Sequence, residues 1–206
     1  MANIRVLLVD GFNLIRRVYE ENHREDTEIN DCIESCVRSL TRALNTHRPS
    51  HAVVVLDSHE MTWRHMLYDD YKFGRKPTPE VLISNLDRFR RAFETAGVRS
   101  LEVAGYEADD VIATLVRTAK DKKLKAVVSS LDKDLMQLVE DPSTTIMNTM
   151  SHQIFNEDKV FKKFGVKPNQ IRDMLALVGD TSDNIPGVPK VGQKTAAKWL
   201  NEYKNI

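Results

Sequence analysis

The chain has 206 residues, of which 41% are hydrophobic and 29% charged, a composition typical of a soluble globular protein with a sizeable core. Thirty basic residues balance thirty acidic ones, which excludes a uniformly basic nucleic-acid binder but not segregated charge. No apolar run approaches the ~20 residues that cross a bilayer, and two cysteines are too few for a disulfide framework. A reduced, cytoplasmic setting without a secretory signal is expected.

Four short apolar runs, at residues 4–9, 52–56, 100–104 and 126–129, are predicted to be buried parallel strands. Gly11 and Asn13 predict a turn from the first strand into a short helix. Apolar residues at helical spacing predict further helices over 28–45, 77–93 and 108–120. The alternation of strand and helix predicts an α/β fold with a central, mostly parallel sheet and helices on both faces.

The remainder of the chain is predicted to contain a strand pair and a helical tail. The strands are expected at residues 144–148 and 152–155. Asn156 is expected to cap a helix that ends at Phe164, and Pro168 to open another that ends at Val178. We therefore divide the chain into an α/β core, residues 1–155, and a helical region, residues 156–206.

Acidic residues follow each of the four predicted parallel strands. Because the carboxyl ends of parallel strands meet at one edge of a sheet, these acids are expected to converge there. A single acid after a strand is explained by the preference of Asp for turns. Acids after all four strands are not explained in this way. The loop over residues 179–184 is expected to bring a further pair to the same edge. The predicted set has nine members: Asp10, Asp57, Glu107, Asp109, Asp110, Asp132, Asp134, Asp180 and Asp183.

Nine carboxylates in one cleft repel one another and require a counter-charge. Divalent cations that prefer oxygen ligands supply it, and the lack of His and Cys in the set favours Mg²⁺ or Mn²⁺ over zinc. Two such ions can activate water and stabilise the leaving oxygen of a phosphodiester. The set therefore predicts metal-dependent phosphoryl transfer, most simply hydrolysis. For the acids at 107–110 taken alone, helix capping is the competing interpretation.

Two segments carry the basic residues that a phosphate backbone requires. Residues 58–78 interleave cations with aromatic side chains, a pattern that suits phosphates and unstacked bases but also a solvated loop. Residues 185–197 resemble a helix-hairpin-helix, in which glycines let backbone amides approach a duplex phosphate. Residues 185–206 contain four lysines and one acid, so positive charge is concentrated in this segment. A net charge of zero for the whole chain is therefore compatible with nucleic-acid binding.

These motifs together resemble the 5′ nuclease domain that precedes bacterial DNA polymerase I, and its stand-alone flap-endonuclease relatives. The resemblance extends in order over nearly the whole chain, at residues 9–11, 63–64, 71–75, 105–111, 132–135 and 179–188. It implies a PIN-like fold with a helical arch in the region 58–96 and a C-terminal helix-hairpin-helix. It also implies a monomeric, structure-specific nuclease that cuts branched or 5′-ended DNA with two metal ions and leaves a 5′-phosphate.

The resemblance also assigns roles to individual residues. One metal ion would bind Asp10, Asp57, Glu107 and Asp109, and the second would bind or lie near Asp132, Asp134, Asp180 and Asp183, with Asp110 as an outer ligand. Lys72 and Arg75 would meet the scissile phosphate. The implied DNA contacts are Arg64, Tyr71, Lys72, Arg75, Lys76, Gly187, Lys190, Gly192 and Lys194, and a potassium ion would bind backbone at Val188 and Val191.

One residue departs from the family pattern, because Lys190 stands where the hairpin normally has a glycine. The potassium site and the close approach to phosphate are therefore left open. Two alternatives to an active DNA nuclease are a junction-binding protein that does not cut and a PIN-like RNase. The nine acids disfavour the first, since without metal they would repel DNA. The hairpin and residues 71–75 favour the DNA enzyme over the RNase.

Overall fold

The computed structural model describes residues 5–22 and 29–206, which are built around a six-stranded sheet. Its order is β3-β2-β1-β4-β5-β6, with β1 to β5 parallel and β6 antiparallel to β5. The predicted α/β class is confirmed, and the carboxyl ends of five strands open on one edge. The strands are β1 (Arg5–Asp10), β2 (His51–Val55), β3 (Arg99–Leu101), β4 (Lys125–Ser129), β5 (Thr144–Met147) and β6 (Ile154–Phe155).

Helices cover both faces of this sheet. In chain order they are α1 (Gly11–Asn22), α2 (Ile29–His47), α3 (Trp63–Leu67), α4 (Glu80–Ile83), α5 (Leu86–Thr95), α6 (Ala108–Asp121), α7 (Glu157–Phe164), α8 (Ile171–Val178) and α9 (Gln193–Tyr203), with 3-10 turns at Asp134–Leu138 and Pro168–Gln170. The predicted arch region comprises α3, a tight turn at 69–74, α4 and α5. No helix in the described part of the chain is long and apolar enough to cross a membrane.

Alternate residues of each strand point to opposite faces and build two cores. Leu7 and Val9 pack with α1, α2 and α5 on one face. Leu8 and Val128 pack on the other face with α6 and the C-terminal helices, as far as Leu200 of α9. The regions predicted as 1–155 and 156–206 therefore share a core, and the boundary between them stays a prediction.

Gly11 allows α1 to begin directly at the end of β1. A Cβ atom there would lie 2.6 Å from side-chain carbons of both Leu56 and Val54. The turn predicted at this point was wrong, because β1 ends at Asp10 and α1 begins at Gly11: Oδ1 of Asp10 accepts a hydrogen bond of 3.0 Å from the amide of Asn13 in the first turn of the helix. This junction fixes the Asp10 carboxylate at the edge of the sheet.

Other element boundaries also differ from the sequence predictions. The helix predicted over 77–93 is broken between α4 and α5, because Ser84 and Asn85 bond through their side chains to carbonyls of the preceding turn. The helix predicted from Pro168 opens as a 3-10 turn. The cap at Asn156 is confirmed by a 3.1 Å hydrogen bond from the Lys159 amide. The predicted starts at residues 4 and 28 lie outside the described residues.

Candidate metal centre and nucleic-acid interface

An acidic cleft of about 380 Å³ lies at the carboxyl edge of the sheet. It lies where β1 and β4 are neighbours and the strand order reverses, which is the usual position of a site in an open α/β sheet. The structure brings together eight of the nine predicted carboxylates there. They are Asp10, Asp57, Glu107, Asp109, Asp132, Asp134, Asp180 and Asp183.

Two groups of three carboxylates in this cleft have the spacing of metal ligands. One is Asp109, Asp132 and Asp134, and the other is Asp134, Asp180 and Asp183; within each group one oxygen per residue lies within 4.8 Å of the others. Asp134 belongs to both groups. Asp132 is grouped with Asp109, whereas the family resemblance implied that it lies with Asp180 and Asp183. The Oδ1 atom of Asp134 is buried without a hydrogen-bond partner. Because an unpaired buried oxygen is costly, this arrangement fits a bound cation.

Asp10 and Asp57 are held rigidly on the sheet side of the cleft. The second oxygen of Asp10 accepts a 2.8 Å hydrogen bond from the hydroxyl of Ser130, which is fully buried. Asp57 accepts a 2.8 Å hydrogen bond from the amide of Ala108 at the start of α6. Helix starts favour such negative charge, so α6 orients Asp57 toward the cleft.

Among the carboxylates of the cleft, Asp10, Asp109 and Asp134 have raised pKa values. Burial, with the charges of Asp57 and Asp132, raises the pKa of Asp10 from its usual 3.8 to about 7. Burial and neighbouring acids raise the pKa of Asp134 to about 7 and that of Asp109 well above 3.8. The cleft therefore requires added positive charge to keep all of these groups ionised.

The basic segment reaches the cleft through Lys72 and Arg75, which both line it. The ammonium of Lys72 lies 2.7 Å from Oε1 of Glu107, and Arg75 lies 3.8 Å from a carboxylate oxygen of Asp183. The hydroxyl of Tyr71 donates a 3.0 Å hydrogen bond to Oε2 of Glu107. The ring of Tyr71 is buried, so this side chain holds Glu107 in place and is not available to stack on a nucleic-acid base.

Asp110, for which the resemblance implied the role of an outer ligand, lies outside the cleft lining. Its carboxylate accepts hydrogen bonds from Nη2 of Arg64 at 2.9 Å, from Nε1 of Trp63 at 3.3 Å and from the amide of Glu107 at 3.3 Å. Burial acts to raise its pKa, but the bonds from Arg64 outweigh burial and lower it. Asp110 thus caps α6 and anchors α3, and Arg64 is engaged in this ion pair.

Sequence reasoning missed several residues of the cleft. Lys133 forms an ion pair of 2.8 Å with Oδ2 of Asp180. Burial acts to raise the pKa of Asp180, but hydrogen bonds from Lys133 and Ser182 lower it. Arg16 and Arg17 line the cleft from α1, a position that could have been inferred from their place in the first helix after Asp10. Nothing in the sequence pattern marked Ser130, whose role depends on the packing of β4 beside β1.

The predicted hairpin connects α8 to α9. A Cβ atom on Gly187 would lie 2.2 Å from the carbonyl carbon of Val178, so the two backbones touch here. Lys190 adopts the left-handed conformation, with φ of 66°, so the backbone keeps a geometry that glycine favours although a lysine is present. Gly192 precedes α9, and both Lys190 and Lys194 are exposed to solvent.

Comparison with known families covers the whole described chain. A model of the 5′-3′ exonuclease N-terminal resolvase-like domain matches residues 5–165, and a model of the 5′-3′ exonuclease C-terminal SAM fold matches residues 166–206. The chain belongs to the 5′-3′ exonuclease family. The resemblance inferred from its motifs is confirmed, and the chain is a nuclease of this family.

Relatives of this nuclease include two named enzymes. Flap endonuclease Xni of Vibrio campbellii is 38% identical over 206 residues, which are 99% of this chain and 78% of the relative. The 5′-3′ exonuclease of Aquifex aeolicus is 40% identical over 176 residues, which are 85% of this chain and 61% of the relative.

Solved structures show the same fold. The T5 D15 protein co-crystallised with metal ions has a TM-score of 0.80 at 21% identity, covering 98% of this chain and 76% of that one. The catalytic core of Rad2 in complex with DNA substrate has a TM-score of 0.62 at 14% identity, covering 99% and 63%. At these identities the likeness concerns the fold alone.

Proposed function

We propose that this nuclease hydrolyses phosphodiester bonds in branched or 5′-ended DNA with divalent cations bound in the acidic cleft. The observation that carries the proposal is the pair of three-carboxylate groups that share Asp134. Lys72 and Arg75 line the same cleft, so cationic side chains are available for a phosphate beside the two groups. The names of its relatives and the DNA substrate bound to Rad2 support DNA as the partner.

Mg²⁺ or Mn²⁺ suits the cleft because every donor in both groups is a carboxylate oxygen. Asp109, Asp132 and Asp134 would hold one ion, and Asp134 with Asp180 and Asp183 the other. Asp10, Asp57 and Glu107 would complete the acidic surround, while Asp110 would act only through α6. Bound ions would supply activation of a water molecule and stabilisation of the leaving oxygen.

The side chains of the basic segment bind and orient the DNA strand in this proposal. Lys72 exchanges its bond to Glu107 for the scissile phosphate, and Arg75 binds the same strand. Tyr71 acts as a positioning residue, because its hydroxyl holds the carboxylate of Glu107 in place when Lys72 moves to the phosphate. Arg64 and Lys76 contribute positive charge beside the cleft, with Arg64 also bound to Asp110.

The hairpin binds the duplex part of the substrate in the same proposal. Lys190 and Lys194 are exposed there, and a Cβ atom on Gly192 would meet nothing within 4 Å, so the backbone before α9 is open to a phosphate. A potassium ion on the carbonyls of Val188 and Val191 is proposed on the family resemblance. The left-handed backbone at Lys190 supports a hairpin of the shape that such an ion requires.

The cleavage assay uses a 5′-labelled DNA flap and a matched RNA flap, each with Mg²⁺, Mn²⁺ or EDTA. We expect cutting near the junction of single strand and duplex, with DNA preferred and EDTA inhibiting. Asp121→Asn, at the exposed end of α6, is the matched control and keeps full activity. Absence of cutting by the pure protein, or cutting that survives EDTA, would contradict the proposal. Preferred cutting of RNA would favour the RNase.

We further propose that the protein acts as a monomer in the cytoplasm. Cys32 and Cys36 are buried free thiols in α2, and such thiols suit a reducing compartment. Sedimentation at micromolar concentration tests the monomer, and a stable dimer would overturn it.

A further inference from the structure

Lys133 contacts one of the two carboxylate groups of the cleft and not the other. In the sequence it stands between Asp132 and Asp134, at the start of the 3-10 turn after β4. Its side chain reaches the loop between α8 and α9, where the ammonium lies 2.8 Å from Oδ2 of Asp180. The ion pair therefore lies within the group formed by Asp134, Asp180 and Asp183.

Both carboxylate oxygens of Asp180 are occupied by donors of the protein. Oδ1 accepts hydrogen bonds from the amide of Ser182 at 2.9 Å and from its hydroxyl at 2.6 Å, and Oδ2 accepts from Lys133. A cation that binds Asp180 must compete with one of these donors. Lys133 is the donor that can move, because 40% of its side chain is exposed and its stem is flexible.

The group formed by Asp109, Asp132 and Asp134 has no such internal cation. Within residues 5–22 and 29–206, the ion pairs of the cleft involve Glu107, Asp180 and Asp183 and none of these three acids. The two groups thus differ in direct ion pairing: Asp180 and Asp183 each have a cationic partner, whereas Asp109 and Asp132 have none among the described residues.

We propose that Lys133 is a positioning residue that competes with a divalent cation for Asp180, and so makes the Asp134–Asp180–Asp183 group the weaker of two ion sites. This inference rests on the proposed function, since it takes both groups as cation sites. A cation that enters this group repels the ammonium and must displace it. The two sites therefore fill in order, and the Asp109–Asp132–Asp134 group fills first.

The test is a titration of the full chain with Mn²⁺ in the absence of DNA. Electron paramagnetic resonance measures the free Mn²⁺ at each step of the titration. Lys133→Met is expected to tighten the weaker binding step at least about tenfold, because a unit charge beside a divalent ion is removed. Lys133→Arg keeps the charge and is expected to keep wild-type affinity. The matched control is Lys120→Met, which removes a surface lysine that pairs with Glu140 at 2.6 Å.

The inference is overturned if the number of ions and the weaker step are the same in Lys133→Met as in wild type, or if that step weakens. A second ion that only Lys133→Met binds supports it. Lys133→Gln replaces Lys133→Met if the latter melts early in EDTA. Failure here is separate from failure of the proposed function, which would show as flap cleavage that needs no metal.

Discussion

The ammonium of Lys72 lies 2.7 Å from Oε1 of Glu107, which ties the basic segment to the acid that precedes α6. The backbone of Lys72 adds a second tie, because its amide donates a 3.0 Å hydrogen bond to the carbonyl of Asp183. A single residue thus connects the loop after β2, the start of α6 and the loop between α8 and α9. The ammonium of Lys72 is therefore held at the cleft before a phosphate binds. Little further ordering of this side chain is required when the DNA strand binds.

Lys72→Ala is expected to lower turnover on a 5′ flap roughly 100-fold while DNA affinity changes little, since positioned positive charge acts mainly on the transition state. Single-turnover cleavage and a separate binding titration measure the two effects. Lys76→Ala is the matched control: it removes an exposed lysine of the same segment, and we expect weaker binding with unchanged turnover. A loss confined to affinity in Lys72→Ala would remove it from the reaction.

The raised pKa values of Asp10 and Asp134 predict how stability depends on pH in EDTA. The folded protein keeps these protons up to about pH 7, whereas an unfolded chain loses them near 3.8. Their contribution to stability is therefore full below about pH 4 and is lost as the pH rises toward 7. Thermal melting from pH 4.5 to 8 measures this, and added Mg²⁺ is expected to restore stability at pH 8.

Asp10→Asn isolates this effect because the amide removes the charge and retains hydrogen-bonding groups for Asn13 and Ser130. In EDTA at pH 8 we expect the variant to melt at least about 3 °C above wild type, which corresponds to roughly 1 kcal/mol for a chain of this size. At pH 4.5 the difference disappears, and Mg²⁺ stabilises the variant less than wild type. Earlier melting of the variant at pH 8 would show that Asp10 is not under electrostatic strain.

Gly187→Ala is expected to destabilise the fold by at least about 2 kcal/mol, because the new methyl group meets backbone that cannot move aside. The added carbon would lie 2.2 Å from the carbonyl carbon of Val178 and 2.4 Å from the amide of Gly179. Gly192→Ala is the control in the same hairpin, since its Cβ meets nothing within 4 Å. Urea denaturation measures the free energy of unfolding of both variants. Equal losses of stability would contradict the close contact between Gly187 and the end of α8.

The sheet and most of the acids could be predicted from the sequence, because both depend on local patterns. Buried parallel strands are continuous apolar runs, and an acid placed after each must reach the common edge. Asp10 and Asp132 are examples, and they meet because β1 and β4 are neighbours. Strand order itself was not needed for this conclusion.

The orientation of individual side chains could not be predicted in the same way. Asp110 was expected to be only an outer ligand, but its partner Arg64, 46 residues earlier, could not be identified from the sequence. The ion pair of Lys133 with Asp180 likewise depends on where a distant loop packs. Contacts of this kind are set by tertiary structure and leave no periodic trace in the sequence.

The role of Asp134 as a shared ligand tests the central claim most directly. Mn²⁺ binding and flap cleavage are measured on Asp134→Asn and on Asp183→Asn, which belongs to the second group alone. We predict that Asp134→Asn weakens both ion-binding steps at least about tenfold and abolishes cleavage while DNA binding remains, whereas Asp183→Asn weakens one step only. Two ions bound with wild-type affinity by Asp134→Asn, or cleavage retained by it, would contradict the account.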